Sequence, residues 1–291
     1  MSDRKVTVIG LGPMGRAMAR AYLAADYTVT VWNRTPEKAG DLVREGAHRA
    51  DTLEEAFGAG GPVVMSLTDY DAVDAILDRV PDAALAGSTI ADLTSDTPER
   101  ARRTTERMSA KGATHLVGGV QVPPPLIGTP DAVSYYSGSK AALEEHRAAL
   151  EVLTGLDHLG EDPGLAPLYY QIGVSMFWSG LLGYVQGQAL AQANGIGAEE
   201  FLPRALKNMD FGYFLRFYAA RIDAGEHGGD VDTLTMGRAS LEHVLHTGES
   251  SGVDGLLTRA LIDLVGRGIA EGHGGDSLTS LIGVLRTHRS E

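Results

Sequence analysis

The feature that most constrains this chain is a run of six residues, Gly10-Leu11-Gly12-Pro13-Met14-Gly15. It follows a β-branched stretch, Lys5 to Ile9, and opens a helix-like stretch, Arg16 to Ala25. A G-x-G-x-x-G in that setting reads as a strand–turn–helix unit. Gly10 permits the tight turn, Gly12 lets the backbone approach a pyrophosphate, and Gly15 lets helix and strand pack closely. The helix N-terminus adds unpaired N–H groups and positive potential. The motif alone is weak, but its place directly after a strand and before a helix makes dinucleotide binding the expected role of Gly10 to Gly15.

The end of the second strand selects the dinucleotide. Where an enzyme reading a free ribose would place Asp or Glu, the chain has Trp32-Asn33-Arg34-Thr35, with Lys38 one helical turn on. No carboxylate stands there to repel a phosphate. Asn33, Arg34 and Thr35 can hydrogen-bond a 2′-phosphate, Arg34 through its guanidinium fork, and Lys38 adds charge. The expected cofactor is NADPH rather than NADH.

Strand-like runs at Lys5 to Ile9, Thr28 to Trp32, Val63 to Leu67, Thr89 to Leu93 and His115 to Val117 alternate with amphipathic segments, which implies an α/β, doubly wound parallel sheet. Helix-start signals support it: Thr35-Pro36, the capping box Thr52 with Glu55, and Thr97-Pro98-Glu99. Ligands of such sheets bind at the carboxyl ends of strands. Leu67, Thr68, Ser95 and Val120 are accordingly expected near the cofactor, although Thr68, Asp69 and Ser95 serve equally well as helix caps.

The 291 residues suggest about two domains. The expected division is a dinucleotide-binding domain over 1–162 and, over 163–291, a long interdomain helix followed by an all-α domain. After Gly160-Glu161-Asp162-Pro163-Gly164 the strand signal fades, and helices are expected at about 165–193, 198–222, 230–248 and 252–271. No Asp, Glu, Lys or Arg lies between Asp162 and Glu199, yet five Gln and Asn residues interrupt that stretch. It reads as a helix buried in a large or oligomeric protein rather than a membrane span. Gly180, Gly183 and Gly187 form a smooth stripe on it, which points to close approach of a partner subunit.

A net charge of −13 disfavours nucleic acid and anionic membranes as partners, and the absence of cysteine removes disulfides, thiolate metal sites and a Cys nucleophile. Met-Ser-Asp-Arg-Lys runs into Val6 with no apolar signal region, so a cytoplasmic location is expected. His243 and His246 sit at i, i+3 beside Glu242 without a third placed ligand, and no metal is expected.

Gly10 to Gly15, Trp32 to Thr35, the block Gly119-Val120-Gln121-Val122-Pro123-Pro124-Pro125-Leu126-Ile127-Gly128-Thr129-Pro130 and Tyr135-Tyr136-Ser137-Gly138 together resemble the imine reductases, over nearly the whole chain. The proline-rich block is the specific part. The resemblance implies NADPH-dependent reduction of cyclic imines or iminium ions to chiral amines. It also implies a homodimer with intertwined helical domains, each active site lying between one subunit's dinucleotide domain and the partner's helical domain.

The related β-hydroxyacid dehydrogenases use an interdomain-helix lysine. This chain has none between Lys140 and Lys207, and Lys207 reads as helix surface. The imine reductases carry Asp or Tyr at the corresponding position, which the resemblance assigns to Tyr170. Adjacent helix residues diverge by about 100°, so only one of Tyr169 and Tyr170 can face the cofactor. Hydride transfer to a C=N carbon needs an electrophilic iminium, a retained proton and exclusion of water. A phenol can hydrogen-bond the nitrogen, and, as a weak acid near neutral pH, can orient the substrate or relay a proton. Tyrosine here is loosely associated with S-amine products. Met176, Phe177 and Trp178 are the expected apolar wall of the substrate pocket, with Met209 to Phe217 and Asp232 to Met236 of a partner as candidates to close it. The competing readings are a β-hydroxyacid dehydrogenase and a protein that senses NADPH without turnover.

Overall fold

A computed structural model describes residues 4–286. Eight strands form one sheet: β1 (Lys5–Ile9), β2 (Thr28–Trp32), β3 (His48–Arg49), β4 (Val63–Met65), β5 (Thr89–Asp92), β6 (Thr114–Val120), β7 (Val133–Gly138) and β8 (Gly155–His158). Their spatial order is β3-β2-β1-β4-β5-β6-β7-β8. Every neighbouring pair is parallel except β6 and β7, which are antiparallel. The sheet is thus the doubly wound one the alternation implies, extended by an antiparallel hairpin-like return. The chain changes direction along the sheet between β1 and β4, which creates a crevice at their carboxyl ends.

Alternation of side chains along each strand builds two cores. Val6 and Val8 of β1 join Tyr22, Val29, Val31 and Leu116 on one face. Ile9 joins Trp32, Met65, Ile90 and Val117 on the other. Both faces are covered, so the strands read as β-branched runs.

Among the longer helices, α1 (Pro13–Ala24), α2 (Tyr70–Leu77) and α3 (Pro98–Ala110) flank this sheet. Asp69 Oδ1 accepts the Ala72 N–H at 2.9 Å and Thr97 Oγ1 accepts the Arg100 N–H at 3.3 Å, so α2 and α3 begin at capping side chains. Thr52 caps the short helix Leu53–Gly58, while Glu55 reaches back to the N–H of Asp51, one residue earlier than a standard capping box. Thr35 caps nothing: Pro36–Ala39 is a 3₁₀ turn. The run His115 to Val117 lengthens into β6, and β3, β7 and β8 add to the expected strands.

The chain divides into two compact units between Ser175 and Met176, within α4 (Leu165–Ala193). The second unit also contains α5 (Ala198–Asn208), α6 (Gly212–Ala224), α7 (Leu234–Ser250) and α8 (Leu256–Gly268). The single helix expected over 198–222 breaks at Met209–Phe211, because Asp210 Oδ1 takes the Gly212 N–H at 3.1 Å and starts a new helix. Thr233 caps α7, which therefore begins at Leu234 rather than 230.

Two glycines of the α4 stripe face their own chain. A Cβ on Gly180 would lie 3.3 Å from Met209 and one on Gly187 3.9 Å from Phe201, whereas Gly183 is open. The stripe therefore serves packing within the chain at two of its three positions, which corrects the expectation that a partner backbone fills it. The charge-free helix is not buried within this chain either: Met176, Phe177, Trp178 and Val185 are each more than half exposed. No described helix is long and apolar enough to cross a membrane.

Candidate active site

A cleft of about 370 Å³ opens at the carboxyl ends of β1, β2 and β4. Its floor is the turn Gly10 to Met14. Gly10 has φ +94°, and a Cβ there would stand 2.2 Å from the Ser66 carbonyl oxygen, so both conformation and space demand glycine. A Cβ on Gly15 would lie 1.9 Å from the Gly10 oxygen, which places Gly15 beneath the cleft as the packing residue of the turn. Gly12 meets nothing within 4 Å. It is the N-cap of α1, with Pro13 at the first helical position, no capping side chain and no acidic residue in the first turn. This helix end offers its N–H groups and positive potential to an anion with no carboxylate of its own to compete.

At the end of β2 the side chain of Asn33 is already engaged. Its Oδ1 accepts the Leu11 N–H at 2.9 Å and its Nδ2 donates to the Thr35 carbonyl oxygen at 3.0 Å. Asn33 thus ties the two cleft loops together through its oxygen and one of its two amide N–H groups. Arg34, Thr35 and Lys38 are exposed along the same lip, and Arg34 and Lys38 make no ion pair among the described residues.

The opposite wall is Ser66, Leu67 and Thr68 after β4, then Ala72, Ala75 and Ile76 of α2, ending at Arg79. The guanidinium of Arg79 lies 6.0 Å from the centre of the Trp32 indole. Sequence reading did not single out Ser66, Arg79 or this helix face, although the spacing 72, 75, 76, 79 is that of one helical stripe. Ser95 and Val120 lie outside the lining. Ser95 is exposed beyond β5, and Val120 is half-buried against the sheet core. Asp69 is the cap of α2.

Tyr170 lies against β6. A Cβ added to Gly119 would stand 3.0 Å from Tyr170 Cβ and 3.4 Å from its ring, so the glycine admits the tyrosine. Gln121 Nε2 donates to the Gly119 oxygen at 3.0 Å and holds this strand end. Tyr170 is half-buried, and its hydroxyl makes no hydrogen bond among the described residues. Tyr169 points elsewhere and meets Tyr135 edge to face at 5.9 Å, as the angular step between neighbours requires.

The start of α4 is firmly seated. Ser137 Oγ accepts the Ala166 N–H at 3.1 Å and donates to the Pro163 oxygen at 3.0 Å. Arg102 grips Asp162 through two hydrogen bonds of 2.8 and 2.7 Å, which hold the Asp162 carboxyl below the usual carboxylate range.

In the second unit, Phe177 and Trp178 meet edge to face at 5.7 Å. Asp232, in a segment expected to close a pocket, is occupied within the chain: it accepts from the Tyr218 hydroxyl at 2.8 Å, from Ser277 Oγ at 3.0 Å and from the Leu278 N–H at 2.8 Å. His243, His246 and Lys207 are exposed, and Glu242 pairs with Arg238 at 2.9 Å. Among the described residues no three His, Asp or Glu side chains gather as a metal site.

Residues 5–156 match the NAD binding domain of 6-phosphogluconate dehydrogenase, and residues 162–287 match the NADPH-dependent reductive aminase-like C-terminal domain. The chain is 32% identical to an NADPH-dependent reductive aminase of Aspergillus oryzae over 288 residues, covering 96% of each chain. A Streptomyces aurantiacus imine reductase is 51% identical, with a TM-score of 0.94 over 97% of this chain and all of that one. The reductive aminase of Aspergillus terreus, solved with NADPH4, cyclohexanone and allyl amine, is 36% identical with a TM-score of 0.91, covering 98% of this chain and all of that one.

Proposed function

The chain belongs to the imine reductase and reductive aminase family, and from that premise we propose that it uses NADPH to reduce cyclic imines or iminium ions to amines. The observation that carries the C=N chemistry is Tyr170: a phenol without a hydrogen-bond partner among the described residues, seated on Gly119, in a chain with no lysine between Lys140 and Lys207. The related β-hydroxyacid dehydrogenases use a lysine on this helix, which this chain lacks. A phenol can hydrogen-bond a C=N nitrogen, orient it and help retain its proton.

The cleft fits NADPH on its own features. Open space over Gly12 and an uncapped helix end receive a pyrophosphate, and Arg34, Thr35 and Lys38, which line the cleft without an acidic neighbour in its lining, receive a 2′-phosphate. Bound there, NADPH supplies the hydride. Leu11, Pro13, Met14, Leu67 and Thr68 shape the groove, and Ser95 and Val120 are assigned to its far end. Tyr170 hydrogen-bonds and orients the substrate nitrogen. Met176, Phe177 and Trp178 form an apolar wall that excludes water.

The exposed face of α4 supports a homodimer in which a second copy covers these aromatic residues and completes the pocket. Residues 1–162 are assigned to cofactor binding and 163–291 to dimerisation and substrate. The assigned compartment is the cytoplasm.

The test is to incubate the purified protein with NADPH and 2-methyl-1-pyrroline, a five-membered cyclic imine, while a parallel arm offers β-hydroxy acids with NADP⁺. Imine-dependent loss of NADPH absorbance is expected. Hydroxy-acid turnover, or cofactor binding without any turnover, would replace this reading with a dehydrogenase or a sensor.

A further inference from the structure

A polar chain runs through the core of the first unit behind the cleft. Asp92, the last residue of β5, and His115, on β6, have fully buried side chains. His115 Nε2 and Asp92 Oδ2 lie 3.4 Å apart, within ion-pair reach, and neither buried atom has a well-aligned hydrogen-bond partner among the described residues. At the other side of the ring, Nδ1 is 2.7 Å from Thr105 Oγ1, and that hydroxyl donates to the Ala101 oxygen at 2.9 Å. Two lone pairs facing each other in a dry core repel, so one proton sits between Nε2 and Oδ2. The buried phenol of Tyr70, whose ionisation is pushed far up by burial and by Asp92, stays neutral beside them.

The chain continues outward. Asp92 Oδ1 accepts the Thr94 N–H at 3.0 Å, and Thr94 Oγ1 accepts the Leu67 N–H at 3.2 Å. Leu67 lines the dinucleotide cleft. A line of directed contacts thus joins His115 to the cleft wall across the ends of β6, β5 and β4. An apolar pair of the same volume would fill the core at lower desolvation cost, so what the pair adds is direction.

We propose that His115 is a positioning residue for the cofactor cleft: paired with Asp92, it keeps that carboxylate turned to Thr94, whose hydroxyl fixes Leu67 and with it the wall of the cleft. This rests on the reading that the cleft binds NADPH.

The test measures the Kd of NADPH by nicotinamide fluorescence, the melting temperature, and kcat with 2-methyl-1-pyrroline at saturating NADPH. The proteins are wild type, His115→Leu, His115→Gln and Thr94→Val. His115→Leu is expected to raise the Kd about tenfold with kcat within about twofold. His115→Gln, whose amide N–H can meet Asp92, restores most of the affinity. Thr94→Val, which keeps the shape of the core, raises the Kd about threefold. A His115→Leu protein that melts lower yet binds NADPH as wild type does would overturn the proposal, as would a Gln variant no better than Leu. Should His115→Leu not fold, Thr94→Val decides alone, weakened binding supporting the proposal and unchanged binding overturning it. Wild type that fails to bind NADPH at all would instead remove the cleft assignment beneath it.

Discussion

The two compact units treat their apolar residues differently. In the first, both faces of the sheet are sealed, and side chains as large as Tyr22, Tyr70, Tyr136 and Met18 are fully buried. In the second, the buried hydrophobic residues among those described are Ala191, Ala205, Leu234, Val265 and Val284, while Phe177, Trp178, Leu206, Tyr213 and Leu215 stand about half or more exposed. Exposed aromatic and aliphatic surface on this scale is characteristic of an interaction site. The first unit encloses its apolar residues beside a cleft, and the second leaves apolar surface of the kind interfaces use.

That contrast can be broken at either end. The largest expected effect is at Gly15, where any Cβ meets the Gly10 carbonyl oxygen at 1.9 Å. Gly15→Ala should cost about 3 kcal/mol of stability, read by urea unfolding. In the second unit, Val185 is 58% exposed on α4. Val185→Arg should leave the helix formed but weaken self-association about a hundredfold or more, measured by sedimentation, because in the proposed dimer it would place an unpaired charge against the second copy.

Cofactor choice gives the next effect. Arg34 and Lys38 lack internal ion pairs, so the double change to serine should lower the preference for NADPH over NADH about a hundredfold, measured as the ratio of kcat/KM values. Tyr170→Phe should lower kcat about tenfold with an unchanged Kd for NADPH, the loss of one orienting hydrogen bond. Full turnover would remove the role.

The smallest effect is at Asp230, whose carboxyl the Arg221 guanidinium pulls down to about 2. A carboxyl depressed in the folded state adds stability that is present above the ordinary range near 4 and lost as pH falls toward 2. Asp230→Asn should therefore lower the melting temperature by about a degree or less at neutral pH and leave no difference near pH 2.

The first unit was the more legible one because its signals are local. The glycines at 10, 12 and 15 each answer to a turn, an open approach or a backbone contact a few residues away, and β1 and β2 occupy the expected residues. Two of the three strands that went unseen, His48–Arg49 and Gly155–His158, offer no apolar alternation, while the third, Val133–Gly138, is interrupted by serine and ends in glycine. Asn33 has the expected residue type and position, and its bridging of Leu11 and Thr35 is a tertiary fact no spacing reveals. The α2 face ending at Arg79 did carry a readable period.

The helix expected at about 165–193 is observed as α4, Leu165–Ala193, which begins in the first unit and runs into the second. The break at Asp210 turns on one carboxylate taking a backbone N–H, which composition cannot foretell. What lies against the exposed half of α4 is equally hidden, since an uncharged helix looks the same whether its own chain or a second copy covers it.

The direct test of this division is the specific activity with NADPH and 2-methyl-1-pyrroline across preparations of known dimer fraction, from wild type to Val185→Arg. The account predicts that turnover falls in proportion to the dimer while NADPH still binds the monomer. A preparation that sediments as monomer yet reduces the imine at the wild-type rate would contradict it.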